Sequence, residues 1–108
     1  MTTQAVYELA AFSESERRTL RLIAEYLSNK KGRRDCFVYK YLRMYYERRG
    51  WENVVEWHTV ERNIRRLAEH GWLVRRVYAK HRGGRAVVFC LSEGLEHLLA
   101  KLGWLKLR

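Results

Sequence analysis

One stretch constrains the fold of this chain more than any other: TVERNIRRLAEHGWLVRRVYAKHRGGRAVVFCLS, residues 59–92. It begins with apolar residues at the spacing of one helix face, namely Val60, Ile64, Leu67 and Ala68. Two segments rich in β-branched and aromatic residues follow, and adjacent glycines lie between them. Gly-Gly is a favoured two-residue hairpin loop because both positions tolerate a positive φ. The pattern predicts a helix at about 59–70, capped by Thr59 and stopped at Gly71, and a β-hairpin at about 72–91.

Helical patterns also flank this stretch. Ser13 and Glu16 have the spacing of a capping box, which predicts a helix from about Glu14 to Ser28. The pattern further predicts a short strand at Asp35–Phe37, a helix at Val38–Arg49 stopped by Gly50, and a last helix at about 93–103 capped by Ser92. Residues 1–12 are predicted as a short helix or as an arm that packs on a neighbour. The chain is therefore expected to form one α+β domain over residues 13–108.

Charge is the unusual part of the composition. The 108 residues include 22 Lys and Arg against 12 Asp and Glu, a net charge of +10 with a pI near 10.1. Such a balance favours an anionic partner, with nucleic acid ahead of an anionic membrane surface. There is no apolar run of 18 residues and no signal-peptide pattern, so we expect a soluble intracellular protein without a membrane partner.

The positive charge is concentrated in the helix and hairpin. Residues 58–85 hold eight Lys or Arg and two Glu, which gives +6 of the whole chain's +10. At 100° per residue, Arg62, Arg66 and Glu69 lie opposite the apolar face of the helix, with His58, Thr59, Asn63 and Arg65 beside them. Arginine and asparagine side chains can each bridge two acceptor or donor groups on a base edge. Because Val74–Leu91 contains no acid, we interpret this surface as more than a solvated face.

Residues 59–99 resemble the recognition helix, wing and following helix of winged helix-turn-helix transcription regulators. The MarR-like group is the most similar, through Thr-Val-x-x-x-Ile-x-x-Leu, then Gly-Trp-Leu, a basic wing, and Leu-Ser-x-x-Gly. The resemblance implies a winged-helix fold, a recognition helix in the major groove of double-stranded DNA, and a wing on the backbone or minor groove. It implies DNA contacts by Arg62, Asn63, Arg65 and Arg66, with Arg82 and Arg85 flanking the groove.

Two departures from the family pattern concern the wing and the chain ends. Lys80 and His81 stand near the wing tip, where the family commonly has an aspartate, and the terminal helices are short. The chain is also similar to compact regulators encoded by archaeal viruses and plasmids. We expect a homodimer through the C-terminal helix or the N-terminal arm, because Trp104, Leu105 and Leu107 would otherwise be exposed. The alternative is that these three residues fold back on the first helix.

Other functions are less well supported by the sequence. A winged-helix module that binds RNA or a protein partner is the main alternative, because phosphate attraction is common to DNA and RNA. No catalytic signature, phosphate-binding loop or zinc-ligand spacing is present, so we expect no enzyme activity, no cofactor and no metal. Cys36 and Cys90 are expected to be buried thiols, with a disulfide between them as the less favoured alternative.

Overall fold

The computed structural model describes residues 3–80 and 82–106, and these form an α+β fold. Within that part the helices are α1 (Thr3–Leu9), α2 (Glu14–Asn29), α3 (Tyr39–Arg48), α4 (Trp57–Glu69) and α5 (Glu93–Lys101). A 3-10 turn at Trp51–Asn53 connects α3 to α4. The strands are β1 (Cys36–Phe37), β2 (Leu73–Ala79) and β3 (Arg85–Leu91). The predicted order of helices and strands is confirmed. None of the described helices is long and apolar enough to span a bilayer.

Helix α2 begins as its sequence predicts. The Glu16 amide donates to Ser13 Oγ at 3.2 Å, and the Ser13 amide donates to a Glu16 carboxylate oxygen at 2.9 Å. This reciprocal pair is the capping box. Leu20, Leu22, Ile23, Ala24 and Leu27 are all buried, so α2 is the central helix of the core.

The three strands form one antiparallel sheet with β3 in the middle, in the order β1-β3-β2. Leu73 pairs with Leu91, and Phe37 with Phe89, and all four side chains lie in the core. Because side chains alternate along a strand, Arg75 faces the same side as Leu73, and Arg76 faces the opposite side. The hairpin thus extends from the core with one face turned toward the helices.

The two cysteines form a disulfide that joins β1 to β3. Cys36 and Cys90 are paired directly across the strands, and their Cα atoms are 4.0 Å apart. The expectation of two buried thiols is therefore wrong, and the disulfide alternative is the one found. The spacing of 54 residues in the sequence does not predict that the two cysteines meet, because they become neighbours only when β1 pairs with β3.

The start of α4 and the hairpin loop differ from their predicted positions. Helix α4 starts at Trp57 with Glu56 at the capping position, so Thr59 lies within its first turn and is not the cap. The hairpin loop runs from Lys80 to Gly84 rather than being a two-residue loop. The Gly83 amide donates to the Lys80 carbonyl, the Lys80 amide donates to the Gly84 carbonyl, and both glycines have positive φ. A two-residue loop has no room for this arrangement, in which a turn closed by Lys80 and Gly83 is followed by glycines in the left-handed conformation.

Both ends of the described chain pack on its own core. Helix α1 lies against α5, and Phe12, which follows it, meets the edge of Trp72 with ring centroids 5.1 Å apart. After α5 the chain folds back on α2, so that Leu105 is 3% exposed and Trp104 lies under the guanidinium of Arg21. Leu105 is thus buried and Trp104 half-buried against α2, as the fold-back alternative expects, and the homodimer stays a prediction. Leu107 lies outside the described residues.

Candidate nucleic-acid interface

Helix α4 has a buried face and a cationic face. Val60, Asn63, Ile64 and Leu67 are buried against α2 and the core, whereas the opposite side of the helix is exposed. The exposed side chains are His58, Arg62, Arg65, Arg66 and Glu69. The sequence prediction of an outward row of arginines on this helix is thus reproduced in the fold.

Asn63 is the exception among the predicted site residues. It is 1% exposed, and its Nδ2 donates to Thr19 Oγ1 at 3.1 Å and to Ser15 Oγ at 3.3 Å. A side chain held between α4 and α2 in this way does not reach a base edge. The predicted contact of Asn63 with DNA is therefore wrong, because the residue faces inward to satisfy two hydroxyl groups of α2.

The two adjacent arginines of α4 point to different neighbours. Arg66 lies toward the start of α2, close to Glu16 and His70. Burial tends to raise the pKa of Glu16, but its hydrogen bonds with Ser13 and the nearby charges of Arg66 and His70 together lower it. Arg65 points the other way and lines a groove between α4 and the hairpin. Arg62 lies between these directions and faces straight away from the core.

The groove between α4 and the hairpin has a volume of about 580 Å³. Its lining combines apolar side chains with charged ones, namely Tyr39, Arg65, Ala68, Glu69, Arg75, Val87 and Phe89. Burial raises the pKa of Tyr39, as does Glu61, whereas Arg65 and Arg75 act to lower it. Sequence reasoning missed Tyr39 and Arg75 as parts of this surface. The signal that could have revealed Arg75 is its spacing of two residues from the buried Leu73, because residues two apart in a strand share a face.

The hairpin tip is exposed and basic. The side chains of Lys80, Arg82 and Arg85 are all exposed. Gly83 and Gly84, which both have a positive φ, allow the chain to reverse direction at the tip. His81 lies outside the described residues. Thr59 is half-buried in the first turn of α4, at the end of the helix that carries His58.

The cations of this surface are not neutralised by carboxylates. Within residues 3–80 and 82–106, no salt bridge involves the arginines or the lysine that α4 and the hairpin contribute to this surface, namely Arg62, Arg65, Arg66, Arg75, Lys80, Arg82 and Arg85. Arg76, on the opposite face of the hairpin, has no salt bridge there either. His58 differs, because its Nε2 lies 3.1 Å from a carboxylate oxygen of Glu56 and forms an ion pair when protonated. Unpaired guanidinium groups keep their full charge and all their donors for an external anion.

No protein-family model matches this sequence, and no curated protein is found to be similar to it.

Proposed function

We propose that this protein binds double-stranded DNA through α4 and the β2–β3 hairpin and acts as a transcription regulator. In this proposal α4 enters the major groove, and the hairpin tip lies along the backbone or in the adjacent minor groove. The observation that carries the proposal is the set of unpaired cations on two neighbouring elements, because the phosphate backbone supplies most of the affinity of such proteins.

The element order supports a winged-helix interpretation. Two helices, α3 and α4, follow each other through a connection of eight residues, 49–56, that contains the 3-10 turn, and the hairpin and α5 come next. A helix-turn-helix protein places its second helix in the major groove, and here that helix carries the exposed Arg62, Arg65 and Arg66, which have no salt bridge within the described residues. We assign α4 as the recognition helix and the hairpin as the wing.

The residues of the interface would have different tasks. Arg62 faces farthest from the core and is the best placed to bridge the two acceptors of a guanine edge. Arg65 and Arg75, on either side of the groove, would hold a phosphate between the helix and the hairpin. Arg82 and Arg85 at the tip would follow the backbone, and an A·T-rich minor groove would attract them most strongly.

Binding-site selection from a random duplex library, followed by affinity measurements at several salt concentrations, tests the proposal. We expect Arg62→Ala to lose about 1–3 kcal/mol of discrimination between the selected site and random DNA. We expect Arg82→Ala to weaken binding to all sequences and to reduce the salt slope by about 1. Arg76→Ala is the matched control, since it removes the same charge from the opposite face of the hairpin.

Three results would contradict the proposal. The first is equal affinity for duplex DNA, duplex RNA and single strands, which would instead support the RNA-binding alternative. The second is an exchange of the two expected phenotypes, which would place the reading element in the hairpin. The third is an effect of Arg76→Ala as large as that of Arg82→Ala.

A further inference from the structure

A second basic loop lies away from the proposed DNA interface, between α2 and β1. Its sequence is KKGRR, residues 30–34, and Gly32 at its centre has φ +81°. A left-handed glycine among cations is also the arrangement of the hairpin tip. In both places basic residues flank a glycine with a positive φ.

The chain after α5 adds another cation to this loop. Ser28 Oγ donates to the Trp104 carbonyl at 3.3 Å and accepts from the Lys106 amide at 3.0 Å. An Arg34 guanidinium nitrogen donates to the Lys106 carbonyl at 3.2 Å. These bonds hold Lys106 next to the loop. We call the resulting surface the α2–β1 patch, which consists of Lys30, Lys31, Arg33, Arg34 and Lys106.

The α2–β1 patch keeps a clear excess of positive charge. Asp35 forms an ion pair with Arg33 at 2.7 Å, and Glu96 is the next carboxylate near enough to act on that guanidinium. Lys30 and Arg34 donate to backbone carbonyls, which leaves their charges in place. Lys31 and Lys106 have exposed side chains, and their ammonium groups have no hydrogen-bond or ion-pair partner within the described chain. The patch is therefore a cationic surface with free donors.

The position of the patch separates it from α4 and the hairpin tip. The Leu91 amide donates to the Asp35 carbonyl at 2.7 Å, so the loop lies at the base of the hairpin. Leu91 lies six positions along β3 from Arg85, which corresponds to about 20 Å along the strand. Tyr78 is near enough to Arg33 to act on its guanidinium, and Tyr78 faces the side of the hairpin opposite to Arg75 and the groove. A straight duplex held in the groove by α4 would therefore lie on the other side of the hairpin from Arg33.

The chemistry of the patch favours nucleic acid over a lipid surface. Proteins that lie on membranes combine basic residues with exposed apolar side chains. The large apolar side chains that are exposed in the described chain are Tyr7, Tyr41, Met44, Val54, Val74, Val77 and Tyr78, and none belongs to this loop or to the chain after α5. Tyr78 of β2 is the member of this set that is near enough to act on Arg33, but the patch residues themselves are all cations. Cationic hydrogen-bond donors fit a phosphate backbone.

We propose that the α2–β1 patch is a second DNA-binding surface, which holds the backbone of a second duplex segment while α4 and the hairpin hold the first. This inference rests on the proposed function of α4 and the hairpin. One copy of the chain would then bridge two duplexes. Binding at the patch would be independent of base sequence, because every contact it offers is directed at phosphate.

A bridging assay with two separate 20-base-pair duplexes tests this inference. One duplex is fixed to beads, the other carries a fluorophore, and the protein is added at low salt. Lys31→Ala/Lys106→Ala removes two exposed charges of the patch without touching the core. We expect this variant to capture at least tenfold less labelled duplex, while its affinity for one short duplex stays within about threefold of the unmodified protein. Arg48→Ala/Arg49→Ala removes the same charge at the end of α3 and is the matched control.

The outcomes separate the two proposals. Capture that is unchanged in Lys31→Ala/Lys106→Ala would overturn the second surface, because bridging would then come from two copies of the chain. Binding of one duplex without any capture by the unmodified protein would overturn it too, and would leave the proposed function standing. Failure to bind any duplex would reject the proposed function itself. Capture of phosphatidylserine vesicles that is stronger than capture of DNA would assign the patch to a membrane instead.

Discussion

Arg62 and Asn63 are neighbours in the sequence and have opposite environments. Arg62 is exposed on the outer face of α4, whereas Asn63 is enclosed between α4 and α2 and donates to Thr19 and Ser15. A rotation of 100° per residue is enough to separate a group available to DNA from one that stabilises the fold. The two residues therefore provide a direct test of which side chains belong to the interface.

We expect Asn63→Ala to lower the free energy of unfolding by about 1–3 kcal/mol, since the buried Thr19 hydroxyl loses its donor. Specificity for DNA should stay unchanged in the folded protein. Arg62→Ala should lower specificity for DNA but leave the free energy of unfolding within about 0.5 kcal/mol of that of the unmodified protein, as is usual for exposed positions. Urea denaturation and DNA anisotropy on the same samples check both. Loss of DNA discrimination by a fully folded Asn63→Ala would contradict the structural role given to this residue.

Helical periodicity was enough to predict the outward arginines but not the environment of Asn63. A polar residue at the border of an apolar face is expected to be exposed, and Ser15 and Thr19 lie 44 residues or more away in the sequence. Nothing local indicates that these two hydroxyls meet the amide. The same limitation applies to Arg75 and Tyr39, whose shared groove exists only after the hairpin has packed beside α4.

At the scale of elements, three serine and threonine caps were predicted from the sequence, and two of them are found: Ser13 caps α2, and Ser92 Oγ accepts from the Leu95 amide at the start of α5. Ser13 and Thr59 show why the outcomes differ. Ser13 caps α2 through a reciprocal pair of hydrogen bonds, and Thr59 caps nothing because α4 begins two residues earlier. The capping box carries its own partner, Glu16, within the same turn. Thr59 has no such partner, and Trp57 extends the helix by packing its ring against Tyr46 at 5.2 Å between centroids. Tertiary packing therefore overrode the local signal.

This difference can be measured in stability. We expect Ser13→Ala to destabilise the protein by about 1 kcal/mol, the usual cost of removing an N-cap side chain. Thr59→Ala, which deletes a similar hydroxyl from an uncapped position, should cost less than about 0.5 kcal/mol. Thermal and urea unfolding of the two variants give the comparison. Equal losses would mean that Thr59 has a hydrogen bond in solution that the structure lacks.

For the whole molecule, the disulfide is the main covalent constraint on the fold. It links β1, which lies between α2 and α3, to the central strand of the sheet. Its loop of 54 residues contains α3 and α4 and most of the hairpin. Restriction of the unfolded chain by a loop of this length is worth about 4 kcal/mol in the chain-entropy treatment.

We therefore expect reduction of the disulfide, or Cys36→Ser/Cys90→Ser, to lower the free energy of unfolding by about 2–5 kcal/mol. Guanidinium denaturation with and without dithiothreitol measures the change. The double variant is its own control, because its stability should not respond to the reductant. A response of the same size in the double variant, or no response in the unmodified protein, would contradict a stabilising disulfide in solution.

The order of strands in the sheet has a consequence for how the chain acquires its fold. The β2–β3 hairpin is local and can form within microseconds, but β1 precedes its partner by more than fifty residues. During synthesis on a ribosome, Cys36 is translated long before Cys90, so its thiol has no native disulfide partner while α3 and α4 are being synthesised. The last strand to be translated is thus the one that completes the sheet, and a chain stopped short of it would leave β1 unable to join any sheet at all.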